Sequence, residues 1–210
     1  MSSGPRIDWN AAKKVAETIC REWSLPANEA IVGSVRRMRD TVGDLELVAP
    51  HEPESSDRLF RAINRRMSNP WQDTRAGLFA PQVETFEPMG RIEKGLKPGF
   101  LAASLVLTPW QGVELPCQVY RYTPANEGWV KLMRTGPREF GMWFLGKWKA
   151  RHGIPLGRND RPACVNGHLV DADGKVVSVP TEADCFMRAQ IPVIDPWKRD
   201  EFAERLQARK

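Results

Sequence analysis

Asp44 and Glu46 stand two residues apart in a short stretch, Asp44 to Val48, that Gly43 opens and Ala49-Pro50 closes. Such a stretch reads as a strand. Side chains alternate across a strand, so carboxylates at i and i+2 share one face, about 6.5 Å apart along it. A pair placed this way can grip Mg²⁺, which takes oxygen ligands and keeps positions open for phosphates. Two-metal nucleotidyl chemistry sets its ions about 3.5–4 Å apart, a span the pair can bridge.

The segment just upstream supplies the complement. Gly33-Ser34 ends a short apolar run and is followed by Val35, Arg36 and Arg37. Glycine lets backbone approach a phosphate closely, and amides at a helix start favour an anion. Arg36 or Arg37 can neutralise that phosphate with a planar fork. Each half alone reads rather as a surface turn with solvated charges, or a strand with one buried acid. The two in order point to a nucleotide site.

Composition sets wider bounds. The chain has 210 residues, enough for one domain of two lobes or for two small domains. No run approaches the roughly 20 apolar residues of a membrane helix. Met1 to Arg6 lacks the charged-then-apolar layout of a signal peptide, so a cytoplasmic location is expected. Cys20, Cys117, Cys164 and Cys185 are scattered and read as free thiols. Cys164 and His168 have a loose ligand-like spacing, but one such pair does not make a zinc site. A net charge of +5 fits a nucleotide or nucleic-acid partner without requiring one.

Along the chain, residues 10 to 23 read as a helix with Asn10 as N-cap and Ala11, Val15, Ile19 and Trp23 on one face. Glu29 to Val32 reads as a short buried strand. A helix is expected around Leu59, Phe60, Ile63 and Met67, then an irregular Pro- and Gly-rich connection over residues 68 to 98. Gly99 to Leu107 and Gly112 to Tyr122 read as paired strands about a turn at Thr108 to Gln111. Gly136-Pro137 suits a helix start, with glycine at the cap and proline at the first helical position. Phe140, Trp143, Phe144 and Trp148 form an apolar stripe behind it, better suited to a core than to base stacking. Residues 164 to 180 read as a hairpin turning near Asp173-Gly174, and a last helix begins near Trp197. Trp129 is a candidate neighbour of the nucleotide.

Gly33-Ser34, then Gly43-Asp44-Leu45-Glu46, resembles the nucleotidyltransferases of the DNA polymerase β type, and Arg36-Arg37 after the Gly-Ser is similar to family X DNA polymerases. Two further stretches carry the likeness. Arg134-Thr135-Gly136 resembles the Thr-Gly turn beside the nascent base pair. Thr181-Glu182-Ala183-Asp184 with Ile191-Pro192-Val193-Ile194-Asp195-Pro196 resembles the acidic C-terminal helix and its proline-rich ending. The resemblance implies an α+β fold: a nucleotidyltransferase palm with a small mixed sheet and helices on one face over residues 1–125, then a smaller thumb- or fingers-like C-terminal α/β lobe over 126–210. It leaves no room for the family's N-terminal lyase lobe or helix-hairpin-helix modules, as in the minimal polymerases of viruses and phages. The host cytoplasm would then be the location.

The same resemblance implies roles. Asp44 and Glu46 would hold Mg²⁺, with Mn²⁺ as an alternative. Gly33, Ser34, Arg36, Arg37, Gly43, Thr135 and Gly136 would surround a nucleoside triphosphate. Arg134, Arg138 and Lys147 would contact a DNA or RNA primer-template. The partner is expected to be nucleic acid rather than membrane, and the chain a monomer. The family's third metal-binding aspartate falls at Gln118, in Pro116-Cys117-Gln118-Val119-Tyr120. An amide can coordinate through oxygen, but it carries no charge and accepts no proton. Glu114 lies four residues away on the same strand face, about 13 Å distant, and Glu84 or Glu87 in the long connection are other acids that could complete the set. The leading expectation is nucleotidyl transfer to a 3′-hydroxyl, impaired by Gln118. The alternatives are a non-catalytic nucleotide or nucleic-acid binding protein, and an enzyme that modifies a small molecule on the same palm.

Overall fold

The computed structural model describes residues 6–51, 101–107, 115–156 and 162–208. Within them the protein is mixed α+β, with three small sheets and seven helices. The expected helix around Leu59 to Met67, the connection over 68–98, the turn at 108–111, and Glu84, Glu87 and Glu114 all lie outside the described residues.

Strand β1 (Ile7–Asp8) pairs antiparallel with β2 (Thr41–Val42). Between them lies helix α1 (Trp9–Glu22), whose N-cap is Asp8 rather than Asn10: its carboxylate accepts from the Ala11 amide at 3.0 Å. A carboxylate at the cap satisfies an amide that the first helical turn cannot. Residues 29 to 32 are not the expected strand. A short helix, α2 (Ala27–Ala30), runs through them, and only Ile31 makes an antiparallel bridge, to Leu47. Val32 then donates to the Glu46 carbonyl at 3.0 Å, and α3 (Gly33–Arg36) begins.

The central sheet has the order β3-β5-β4, with β3 (Leu45–Pro50) parallel to β5 (Leu115–Tyr122) and β5 antiparallel to β4 (Leu101–Leu107). The strand pair expected from the sequence is therefore present, and the sheet is mixed. Alternation divides its faces. Leu45, Leu47 and Ala49 join Leu115, Cys117 and Val119 against Ala12, Val15, Ala16 and Ile19 of α1, all buried. The opposite face carries Glu46 and Val48 of β3 with Gln118 and Tyr120 of β5. Helices are not confined to one side: Val130 of α4 (Glu127–Thr135) packs on Val48 and Tyr120. Sequence periodicity had not singled out α4.

Helix α5 (Arg138–Arg151) follows, with Pro137 at its N-cap; Gly136 closes α4 instead of capping α5. The expected stripe is its buried face. Phe140, Phe144 and Trp148 are fully enclosed, and Trp143 is half-buried. Trp148 spends its indole N–H on the Val170 carbonyl at 2.8 Å. The hairpin turns earlier than expected, at Asn166-Gly167 between β6 (Cys164–Val165) and β7 (His168–Leu169); a bridge from Val170 to Val176 encloses the turn at Asp173-Gly174. Helix α6 (Glu182–Ala189) starts on a capping box in which Thr181 and Asp184 satisfy each other's backbone amides. A 3-10 turn (Pro196–Lys198) leads into α7 (Arg199–Gln207).

Helices α4 and α6 meet through Gly128, where an added Cβ would collide with the Thr181 backbone and lie 2.7 Å from the Glu182 nitrogen. Alanine for glycine in a helix gains about 1 kcal/mol on propensity. Here the neighbour is backbone and cannot yield, so overpacking should win by about 3 kcal/mol. Gly128→Ala is therefore expected to lower the melting temperature by about 10 °C in thermal denaturation.

Candidate functional site

The acid-bearing face of the sheet is built by register. Glu46 and Gln118 are Cα partners on the parallel strands β3 and β5, so their side chains stand next to each other. Asp44 immediately precedes β3, close enough to raise the pKa of Glu46. Above them Gly33 has φ +68°, and a Cβ there would fall on the Glu46 carboxylate and 3.1 Å from its Cβ. Only glycine fits both constraints: a conformation that side chains avoid, and a carboxylate already in the space a side chain would use.

Burial is the first reason that the Glu46 carboxyl is pushed up to about 7, and the charge of Asp44 is the second; Arg134 and Arg37 pull it back in part. Two carboxylates thus lie close enough to feel each other, with two guanidiniums as partial counter-ions. Ser34 adds a related signal, because its buried hydroxyl has no hydrogen-bond partner among the described residues. Buried polar atoms are nearly always satisfied. An anion or a hydrated cation beneath α3 would satisfy this one.

Gln118 is not a free amide. The Tyr120 hydroxyl donates to its Oε1 at 2.6 Å, and the Arg134 guanidinium lies over the Tyr120 ring, its carbon 3.7 Å from the centroid. The Tyr120 hydroxyl is pushed above its ordinary pKa by burial, against the pull of Arg134, so it holds its proton for that bond. Tyr120 did not figure among the sequence candidates. It sits two residues beyond Gln118 on the same strand, so alternation alone places it on the same face.

The basic residues divide. Arg36 donates to Thr135 Oγ1 at 2.8 Å and pairs with Glu182, which also accepts from the buried Arg199 at 3.0 Å. Arg37 donates through Nε to Asp200 at 3.0 Å and through Nη1 to the Thr135 carbonyl. Thr135 and Gly136 thus lie beside Arg36 and Arg37, as a Cβ on Gly136 would come within 3.3 Å of Arg37 Nη1. Arg134 belongs to the acid cluster, whereas Arg138 and Lys147 are exposed on α5. Gly43 lies against Arg6. Trp129 is a core residue, its indole N–H directed at Cys164 Sγ, and is not a neighbour of the acids. A cleft of about 460 Å³ is lined by Trp9, Ile31, Val35, Arg36, Met38 and Trp197, and holds neither Asp44 nor Glu46.

No protein-family model and no curated protein matches this chain. No helix among the described residues is long and apolar enough to cross a membrane. No group of three or more His, Cys, Asp or Glu side chains that could hold a metal is found among them either. The Asp44–Glu46 pair supplies two charged donors and Gln118 a neutral third. That set fits a hard cation which keeps waters and takes its remaining ligands from a phosphate.

The Glu46 shift fixes a pH dependence. An acid whose folded pKa is raised contributes stability fully below its unfolded value near 4.5, and loses that contribution as pH rises through about 7. Relative to wild type, Glu46→Gln should be stabilised by about 3 kcal/mol at pH 8 and unchanged at pH 4. Denaturant melts across that range check it. Mg²⁺ should recover stability at pH 8 in wild type and leave the variant where it is.

Proposed function

We propose that this chain is a Mg²⁺-dependent nucleotidyltransferase of the family X polymerase type, built on a palm and weakened in its chemical step by Gln118. One observation carries the reading: the parallel register sets Gln118 beside Glu46, which lies against Gly33 and is near enough to Asp44 to feel its charge. Asp44 and Glu46 would hold Mg²⁺. When bound, the ion would neutralise the triphosphate and orient it for in-line attack. Gly33 lets the backbone lie directly against the Glu46 carboxylate, the Ser34 hydroxyl has no other partner among the described residues, and Arg37 has a fork suited to a phosphate.

Gln118 defines the limit. Its carboxamide occupies the place next to Glu46 without charge, and its oxygen accepts from Tyr120. It cannot take a proton from an attacking 3′-hydroxyl. Binding should therefore be retained better than turnover. The Tyr120 bond favours a second reading, a nucleotide or nucleic-acid binding protein without turnover, because it holds the amide in a role that needs no proton transfer.

Primer extension with Mg²⁺ and with Mn²⁺ separates the two. Gln118→Asp is expected to raise turnover by about 10²–10⁴-fold, the usual worth of a positioned acid-base group, with little change in nucleotide affinity. Asp44→Ala in the same background should abolish the gain. Robust extension by wild type would show that Gln118 is no handicap. Inactive Gln118→Asp that still binds nucleotide would leave the binding-protein reading.

A further inference from the structure

Arg37, the side chain assigned above to the triphosphate, already holds an anion. Its Nε donates to Asp200 Oδ2 at 3.0 Å, and its Nη1 donates to the Thr135 carbonyl. A guanidinium offers two bidentate edges, Nε with Nη2 and Nη1 with Nη2. Each edge of Arg37 therefore has one nitrogen engaged. Nε has a single N–H, so a phosphate can take the Nε–Nη2 edge only by displacing Asp200, an acceptor that is charged and free to move as a side chain.

We propose that Asp200 is a resident competitor for the phosphate at Arg37, so that filling the site and releasing the first turn of α7 are one event. This rests on the reading of Arg37 as a phosphate ligand, and it adds a coupling between that ligand and the C-terminal helix. The neighbouring arginine shows what a fixed joint looks like by contrast. Arg36 pairs with Glu182, and Glu182 also holds Arg199, whose side chain is 1% exposed. Removing Glu182 from that triad would strand a buried cation, so the triad stays together. Asp200 is placed differently. Its side chain is 19% exposed, and Arg39 Nη1 lies 3.7 Å away on a side chain that is 47% exposed. When a phosphate claims Arg37, the Asp200 carboxylate keeps Arg39 as its partner, and no charge is left alone. Asp200 stands in the first turn of α7, so the exchange acts directly on that helix.

The test is calorimetric titration of inorganic tripolyphosphate with Mg²⁺ into wild type, Asp200→Asn and Asp200→Asn/Arg37→Gln. Hydrogen exchange of residues 199–207 is followed with and without the ligand. Removing the competing charge should tighten binding about tenfold, within the usual range for coupled sites. Arg37→Gln should erase that gain. In wild type the α7 amides should exchange faster when tripolyphosphate binds, and in Asp200→Asn they should exchange fast already and not respond. Asp200→Ser is measured alongside, so that a folding defect in one variant does not decide the outcome. Equal or weaker binding by the folded Asp200 variants, or a gain that survives Arg37→Gln, overturns the competition and leaves the nucleotide site standing. Absence of tripolyphosphate binding in all of the proteins overturns both.

Discussion

The Glu46 carboxylate occupies the volume that a side chain at position 33 would need. The rest of the arrangement depends on that contact. Val32 donates to the Glu46 carbonyl, which sets the incoming chain against β3, and the positive φ of Gly33 then turns it into α3. Without a glycine the turn would have to lift off the strand, and Ser34, Arg36 and Arg37 would move with it. A half-buried acid this close to backbone is otherwise costly. Its pKa rises to about 7, and the guanidiniums of Arg37 and Arg134 stand near enough to oppose the rise. A site that keeps two carboxylates together under these conditions is suited to a cation.

The arginines at the C-terminal end of α3, Arg36 and its cap Arg37, join the two cores of the molecule. The N-terminal core closes α1 on one face of the sheet, while the aromatic core of α4, α5 and α6 encloses Phe140, Phe144, Trp148 and Phe186. Arg36 reaches Thr135 and Glu182, and Arg37 reaches Thr135 and Asp200. The residues most suited to an anionic ligand are thus the ones that tie α3 to α4, α6 and α7. Any ligand at α3 acts on a joint. A buried joint with Arg199 inside it is stiff, whereas one carrying partly exposed Asp200 and Arg39 is adaptable.

Part of this was legible from local rules. The paired strands ending at Leu107 and Tyr122 appeared where expected, and the Phe140 to Trp148 stripe is the buried face of α5, whereas β3 begins at Leu45, so strand alternation does not reach Asp44. The failures have physical causes. Asp8 rather than Asn10 caps α1 because the helix begins at Trp9, two residues before the apolar periodicity that starts at Ala11. Residues 29–32 were apolar enough for a strand, but proline at position 26 seeds a helical turn first. Helix α4 escaped notice because Gly128, a poor helix former, is required there by the close approach of Thr181. The partners of Arg36 and Arg37 come from residues more than ninety positions away, and no local pattern announces them.

Crystals grown with Mn²⁺ and a non-hydrolysable nucleoside triphosphate offer the most direct test, because the anomalous signal of the ion marks its position independently of the surrounding protein. The account predicts Mn²⁺ held by Asp44 and Glu46 together with triphosphate oxygens, with a phosphate beneath Gly33 and Ser34. A nucleotide bound away from β3, or an ion that does not touch Asp44 and Glu46, would contradict it.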